Sequence, residues 1–472
     1  MLYSATSINT RKKNDDSLLD LLLRTSLTSL ENDKLKIEPF GEILIDKITK
    51  IIDKELSLID QLSEFSIKRV IIPNLESKSE INFVKDYYYN IEISSSNMKE
   101  ARDSFAIIAL LFKKLFETLN INLQVIQDDS DSGEFLLFNK KGSIKYFLCD
   151  SCGYATDSNF VLPYYFKPKI FKIEEKKKIF TPNLKTIDEL SAFLHIENTS
   201  IIKSILYTTK SGKKVLALVR GDRFIDKGKL RNILGERVKK EKKIYMEQIL
   251  FLPTGFIGPI DLDEFLIVAD FSIKTIRNGI CGANEKDYHY KNVTPGVDFD
   301  IDMIADISEV QRGDYCPICK QGHFYEGYGD LVASLSIKNN LGSYSLNLTK
   351  VLEAVISKNR DDKGVILPKE ITPWNLIITV LNPNEILLEK AQKLEEKLNR
   401  SNITSLIDDR KLSAGVKFND SELLGVPIRV IISQKSLKND SYEVFMRKEN
   451  KKSDFSFEEL DQNIVKILKE IK

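Results

Sequence analysis

The chain has 472 residues, enough for about three domains of ordinary size and for a core that needs no disulfide staples. Its 42% hydrophobic and 29% charged content, with 21 Gly and 13 Pro, excludes collagen-like, low-complexity and mainly disordered classes. Lysine and arginine number 70 against 69 aspartates and glutamates, a net charge of +1, so any RNA site must be a local patch rather than a global positive field.

In chain order, Leu44, Ile45, Ile48, Ile51, Ile52, Leu56 and Ile59 recur at three- and four-residue steps, which predicts an amphipathic helix over Ile43–Ile59. The β-branched run from Ile67 stops at Pro73, as expected of a strand at the edge or end of a sheet. Ala106–Leu119 reads as a buried helix, and Leu123–Ile126 and Glu134–Phe138 read as strands. The apolar run Ala106–Phe112 is far shorter than the roughly 18 residues of a membrane span, and the opening residues carry no apolar signal core. A cytoplasmic chain with no membrane partner is therefore expected.

From about Pro163 the composition changes, and the charged run Glu174–Lys178 leads through Thr181-Pro182-Asn183 to a helix from Ile187, marking a domain boundary. Residues 181–300 alternate strands (Ile201–Tyr207, Val215–Val219, Phe265–Ala269) with helices, and Glu236–Lys243 reads as a basic surface helix or loop. From Ile371, strands Leu376–Leu381, Thr404–Ile407 and Ile428–Ile432 alternate with helices, the first of them Glu385–Asn399, which predicts a mixed sheet with helices on its faces.

Four of the five cysteines form two CxxC pairs, Cys149/Cys152 and Cys316/Cys319, each able to aim two thiolates at one tetrahedral zinc ion. The usual ribbon spaces its halves about 15–20 residues apart, whereas here the intervening loop holds the whole middle domain. The metal is expected to clasp the neck of an insertion, and its closed shell of four thiolates makes it structural rather than catalytic. His323 is an alternative ligand, and the lone Cys281 reads as a small buried hydrophobe.

At this point the residues resemble a known family, the bacterial-type prolyl-tRNA synthetases, class II enzymes with an editing domain inserted in the catalytic core. Asp408-Asp409-Arg410, Gly415-Val416-Lys417-Phe418 and Glu422–Ile428 resemble the family's C-terminal anticodon-binding domain, which implies that Arg410 and Lys417 contact tRNA. Thr181-Pro182-Asn183, Lys203, Val219–Asp222, Gly255-Phe256-Ile257-Gly258-Pro259, Asp270 and Gly282-Ala283-Asn284 with His289 resemble the inserted domain that hydrolyses mischarged alanyl-tRNA. The resemblance implies a catalytic set of Lys203, Gly258, Asp270, His289 and Thr181, with a lysine for the terminal phosphate and a glycine loop whose amides approach the ester carbonyl.

The aminoacylation motifs are degenerate. No Phe-Arg-x-Glu lies between Pro73 and Arg102, where only Phe83–Tyr87 resembles the end of the second motif. In Leu341–Lys350 the family's Ile-Gly is replaced by Leu346-Asn347 and its arginine by Lys350; Ala333–Ser336 stands in place of a Gly-His-x-Phe. The family's first motif, Ile43–Pro73, implies a homodimer or a heterodimer with a synthetase, although its apolar face serves equally well as ordinary core.

The expected fold is a multidomain α/β and α+β chain. It has a class II synthetase-like antiparallel core (1–165 and 301–370), an inserted α/β editing domain of the YbaK-like kind (166–300) and a C-terminal α/β anticodon-binding domain (371–472). Three functions stay open: a deacylase for mischarged tRNA (that for proline) with aminoacylation lost, a working proline–tRNA ligase, and a non-catalytic partner of tRNA or of a synthetase. Structural zinc is the expected cofactor, and ATP is not expected.

Overall fold

The computed structural model describes residues 18–25, 27–31, 34–59, 65–73, 84–127, 131–140, 142–157, 162–166, 172–262 and 264–470. Of the expected motif remnant Phe83–Tyr87, Phe83 lies outside them, as does the stretch 74–82 ahead of it, while Lys85–Tyr87 begin a strand. The chain divides into two compact units, Met1–Ile144 with Tyr328–Lys472, and Lys145–Gly327.

In the first unit an antiparallel sheet runs in the order Phe65–Pro73, Lys85–Ser94, Leu341–Asn347, Phe324–Lys338, Ser132–Phe138, Leu123–Gln127. Along Lys85–Ser94 the side chains of Tyr89, Ile91 and Ile93 are fully buried and their neighbours half-buried, the two-residue alternation of a sheet with one covered face. The predicted helix at Ile43 begins earlier, at Pro39, where the fixed φ of proline suits a first helical turn. Phe40, Leu44, Ile48, Ile52 and Leu56 of that helix are buried in this chain's own core, so its apolar stripe is no evidence for a dimer. The helix predicted from Ala106 begins at Met98, because the Asn97 side chain accepts the Glu100 N–H at 3.0 Å.

The C-terminal sheet of the same unit has the order Ser405–Asp408, Leu376–Val380, Ile428–Ile432, Ser441–Met446, Lys451–Ser456. Its first three strands are parallel and its last two antiparallel, the predicted mixed sheet with an added hairpin. Trp374, just ahead of the strand Leu376–Val380, stacks on Phe40 at 5.7 Å within the shared core.

The second unit holds a five-stranded sheet, Val238–Lys240, Ile202–Thr209, Lys214–Arg220, Leu266–Asp270, Met303–Ala305, and a three-stranded one, Gly279–Gly282, Tyr288–Val293, Lys177–Phe180. The basic segment read as a surface helix or loop supplies the edge strand Val238–Lys240, paired with Tyr207–Thr209. This unit extends beyond 166–300 because Phe147, Cys149, Val310, Cys316 and Phe324 form a small core around the two CxxC turns. No helix among the described residues is long and apolar enough to cross a membrane.

Trp374 is the chain's single tryptophan and is almost fully buried. Trp374→Ala should destabilise the first unit by about 3–5 kcal/mol, read as a lower urea midpoint by circular dichroism.

Candidate active site

A cavity of about 630 Å3 opens in the second unit. Its walls are the strand Ile202–Thr209, the start of the helix Ile187–Leu194, the loop around Thr254–Ile257, and Gly282 with His289. The helix starts there because the Thr186 hydroxyl accepts the Glu189 N–H while Glu189 accepts the N–H groups of Lys185 and Thr186.

Lys203 lines the cavity. Its ammonium donates to the Arg223 carbonyl at 3.1 Å and lies 4.3 Å from the centre of the Phe224 ring. Burial, with a smaller push from Lys240, lowers its pKa below that of an ordinary lysine.

His289 also lines the cavity and is only 4% exposed. Its Nδ1 is 2.7 Å from the hydroxyl of fully buried Thr181. Burial holds its pKa down at about 4, opposed by a hydrogen bond to the Gly255 backbone that favours the protonated ring. Burial thus keeps the ring neutral at pH 7. Its Nδ1 is engaged with Thr181, and burial disfavours the imidazolium that taking a proton from water would create.

Three expected catalytic residues are not on the wall: Gly258, Asp270 and Thr181, the last buried behind His289. Gly258 is not on the cavity wall: its N–H donates to Asn284 Oδ1 at 2.9 Å, so that amide is already occupied. A Cβ on Gly258 would lie 1.9 Å from the Gly282 carbonyl oxygen, and this backbone contact is what requires glycine. The loop residues that do reach the cavity are Thr254, Gly255 and Ile257. Asp270 is fully buried off the wall, accepting the N–H groups of Ser272 (2.8 Å), Ile307 (3.1 Å) and Ser308 (3.0 Å), so it ties chain segments together. Lys240 and Phe224 are wall residues that sequence reasoning passed over; only the basic character of 236–243 hinted at the former.

The four paired cysteines converge, with their sulfurs all within 4.8 Å of one another and the Cys149–Cys319 and Cys152–Cys316 distances at 3.7 and 3.8 Å. Tetrahedral coordination with Zn–S bonds of about 2.3 Å places sulfurs about 3.8 Å apart, so the set fits such an ion. Backbone N–H groups of Ser151 and Gly322 point at the sulfurs of Cys149 and Cys319. Backbone hydrogen bonds from Gln321 and Gly322 hold the Cys319 thiol down at about 6. A Cβ on Gly322 would meet the Cys149 sulfur at 2.5 Å. His323 is outside the set, its ring lying 4.3 Å from that of Tyr315. Cys281 is fully buried among apolar residues, as expected.

In the first unit, the Asn347 side chain accepts the Lys350 N–H at 3.0 Å and so caps the helix Leu348–Lys358. The Lys350 ammonium is 2.9 Å from Glu353. Burial raises the pKa of Glu353 and of Asp86, and the charge of Lys350 opposes both shifts.

Neither residue expected to touch tRNA is a free surface cation. The Lys417 side chain is 0% exposed, and its ammonium donates to the carbonyls of Val380 (2.6 Å) and Asp408 (3.1 Å). Arg410 is 12% exposed and pairs with Asp408 and Asp420 at 2.9 and 2.8 Å. Their motif builds the sheet end instead, since the carboxylates of Asp408 and Asp420 are buried and need partners.

With this geometry established, residues 181–299 match the family model for the aminoacyl-tRNA editing domain, and 375–467 match that for the anticodon binding domain. The proline–tRNA ligase of Thermoanaerobacter sp. (strain X514) is 33% identical over 388 residues, covering 76% of this chain and 68% of that protein. That of Halothermothrix orenii is 32% identical over 401 residues, covering 78% and 70%. Among solved structures, the prolyl-tRNA synthetase of Cryptosporidium parvum has a TM-score of 0.47 at 10% identity, over 96% of this chain and 77% of that one.

A histidine with a folded pKa of about 4 binds fewer protons than its unfolded counterpart at 6.5. The stability it contributes is complete above pH 6.5 and is lost as pH falls toward 4, by about 1.4 kcal/mol per unit. Hydrogen exchange of amides 279–293 in the full chain should show this slope, and His289→Gln should flatten it.

Proposed function

Because the chain belongs to the proline–tRNA ligase family, we propose that it binds tRNA through its anticodon-binding domain and hydrolyses a mischarged aminoacyl ester, alanyl-tRNA for proline, in the inserted domain, with aminoacylation lost. The observation that carries this reading is a contrast between two places. The editing cavity has an open wall of lysine and loop backbone, while the helix start in the remnant core is filled by its own side chains.

In the editing cavity, Lys203 receives a phosphate oxygen of the acceptor end. The loop Thr254–Ile257 supplies amides for the ester carbonyl: among the described residues, the N–H groups of Gly255 and Ile257 have no protein acceptor. Water adds to the carbonyl carbon, the bond to the ribose oxygen breaks, and that oxygen takes the proton, releasing the amino acid and tRNA. The substrate's own ribose hydroxyl serves as the base, in keeping with a buried His289 whose Nδ1 is engaged with Thr181 and whose protonated form burial disfavours.

Loss of aminoacylation is supported by Asn347, whose amide occupies the helix N-terminus that a phosphate otherwise uses, and by Lys350, whose charge Glu353 takes up. A lysine cannot reproduce the planar two-point grip of an arginine. The four cysteines hold a structural zinc ion, which supplies cross-linking and no chemistry because its shell is closed.

A deacylation panel with Ala-, Pro- and Cys-tRNA, run beside proline-dependent ATP–pyrophosphate exchange, tests the reading. Hydrolysis of Ala-tRNA without exchange is the expected result, and exchange above background overturns the loss of aminoacylation. Lys203→Ala should lower the deacylation rate by about 10²–10³-fold, on the scale of a single electrostatic stabiliser, with tRNA binding nearly intact. Metal analysis should return one zinc per chain, and Cys316→Ser should reduce that content and the protease resistance of segment 145–327.

A further inference from the structure

Of the three lysines that line the cavity, Lys185, Lys203 and Lys240, the last two lie close enough for the charge of one to act on the other. Lys240 ends the edge strand Val238–Lys240 opposite Tyr207, and it lines the same cavity as Lys203. The cavity's acidic residues are engaged elsewhere. Glu241 is bonded to Thr208 and lies 3.5 Å from Lys214, Asp222 receives Arg220 at 2.7 and 2.9 Å, and Asp188 accepts from Asn198 at 2.9 Å. Among the described residues no ion pair joins Lys203 or Lys240 to a carboxylate. An anion between two neighbouring ammonium groups relieves their repulsion and gains both attractions.

Beside them stands an exposed aromatic ring. Phe224 is 57% exposed and lines the cavity, with the Lys203 ammonium 4.3 Å from its ring centre. Cations that track a backbone next to an exposed ring are the elements by which proteins hold single-stranded nucleic acid. A free inorganic anion would use the lysines and leave the ring without a role.

Resting on the reading of this cavity as an aminoacyl-ester site, we propose that Lys240 and Phe224 complete, with Lys203, a grip for the terminal nucleotide of the RNA. The two lysines share its phosphate, and the Phe224 ring takes the face of its base. Lys240 and Phe224 are substrate-binding residues of the editing unit, and they place the ester at the loop Thr254–Ile257.

The test uses the full chain and two uncharged acceptor-stem minihelices, one with its complete single-stranded 3′ end and one lacking the terminal nucleotide. The wild type should bind the complete RNA on the order of tenfold more tightly, and Phe224→Ala should erase that preference. Lys240→Ala should reduce the slope of log affinity against log salt by about 0.7, while Lys240→Arg retains it. Both side chains are exposed enough for these variants to fold. Equal binding of the two RNAs, or a salt slope unchanged in Lys240→Ala, overturns the grip. Preference for the complete RNA in a chain that leaves Ala-tRNA uncleaved keeps the grip and overturns hydrolysis; hydrolysis without that preference does the reverse.

Discussion

Four sulfur atoms from residues 149–152 and 316–319 meet within 4.8 Å, and the second unit depends on that convergence. Everything between the two CxxC turns must leave and return at one point. The consequence reaches the cavity through short, specific contacts. The turn ahead of Cys316 is held where Arg223 pairs with Asp314 at 2.6 Å and the Gln311 side chain donates to the Asp222 carbonyl at 3.1 Å. The carbonyl of that same Arg223 receives the Lys203 ammonium. Arg223 thus faces the cysteine cluster with its side chain and the cavity with its backbone.

The cavity itself rests on a second constraint, the contact of two backbones at Gly258 and Gly282. No side chain fits there, so the loop 255–258 lies flat against the strand Gly279–Gly282. Asn284 fastens it by taking the Gly258 N–H and donating to the Ile260 carbonyl at 2.7 Å. Because these groups satisfy one another, the loop is shaped before any substrate arrives. At the start of the helix Leu348–Lys358 in the first unit, polar groups likewise satisfy one another: Asn347 takes the Lys350 N–H, and the Lys350 ammonium pairs with Glu353.

Features encoded in local pattern were legible in the sequence. The two CxxC pairs, the strand carrying Lys203 and the mixed C-terminal sheet follow from spacing and periodicity, and they stand where expected. The family resemblance, too, was carried by motifs spread through both the editing and the C-terminal segments. What could not be read was the direction in which polar residues face. Asp270, Arg410 and Lys417 look like surface chemistry in a string of letters, yet Asp270 and Lys417 are buried and Arg410 is half-buried against Asp408 and Asp420. The strand Val238–Lys240 was hidden for a related reason: its lysines are exposed at a sheet edge, so charge masks a β-ladder that depends on Tyr207–Thr209. Conversely, Phe224 offers no periodic signal, because it lies in a turn, and only the folded wall reveals its exposure.

The burial of Asp408, Lys417 and their partners has a practical corollary at the bench. Counter-ions screen charges that water reaches, and these two side chains are 0% exposed. Concentrated salt therefore screens the outer lysines while the buried pair of Asp408 and Lys417 stays closed. A high-salt wash during chromatography should leave the C-terminal sheet folded.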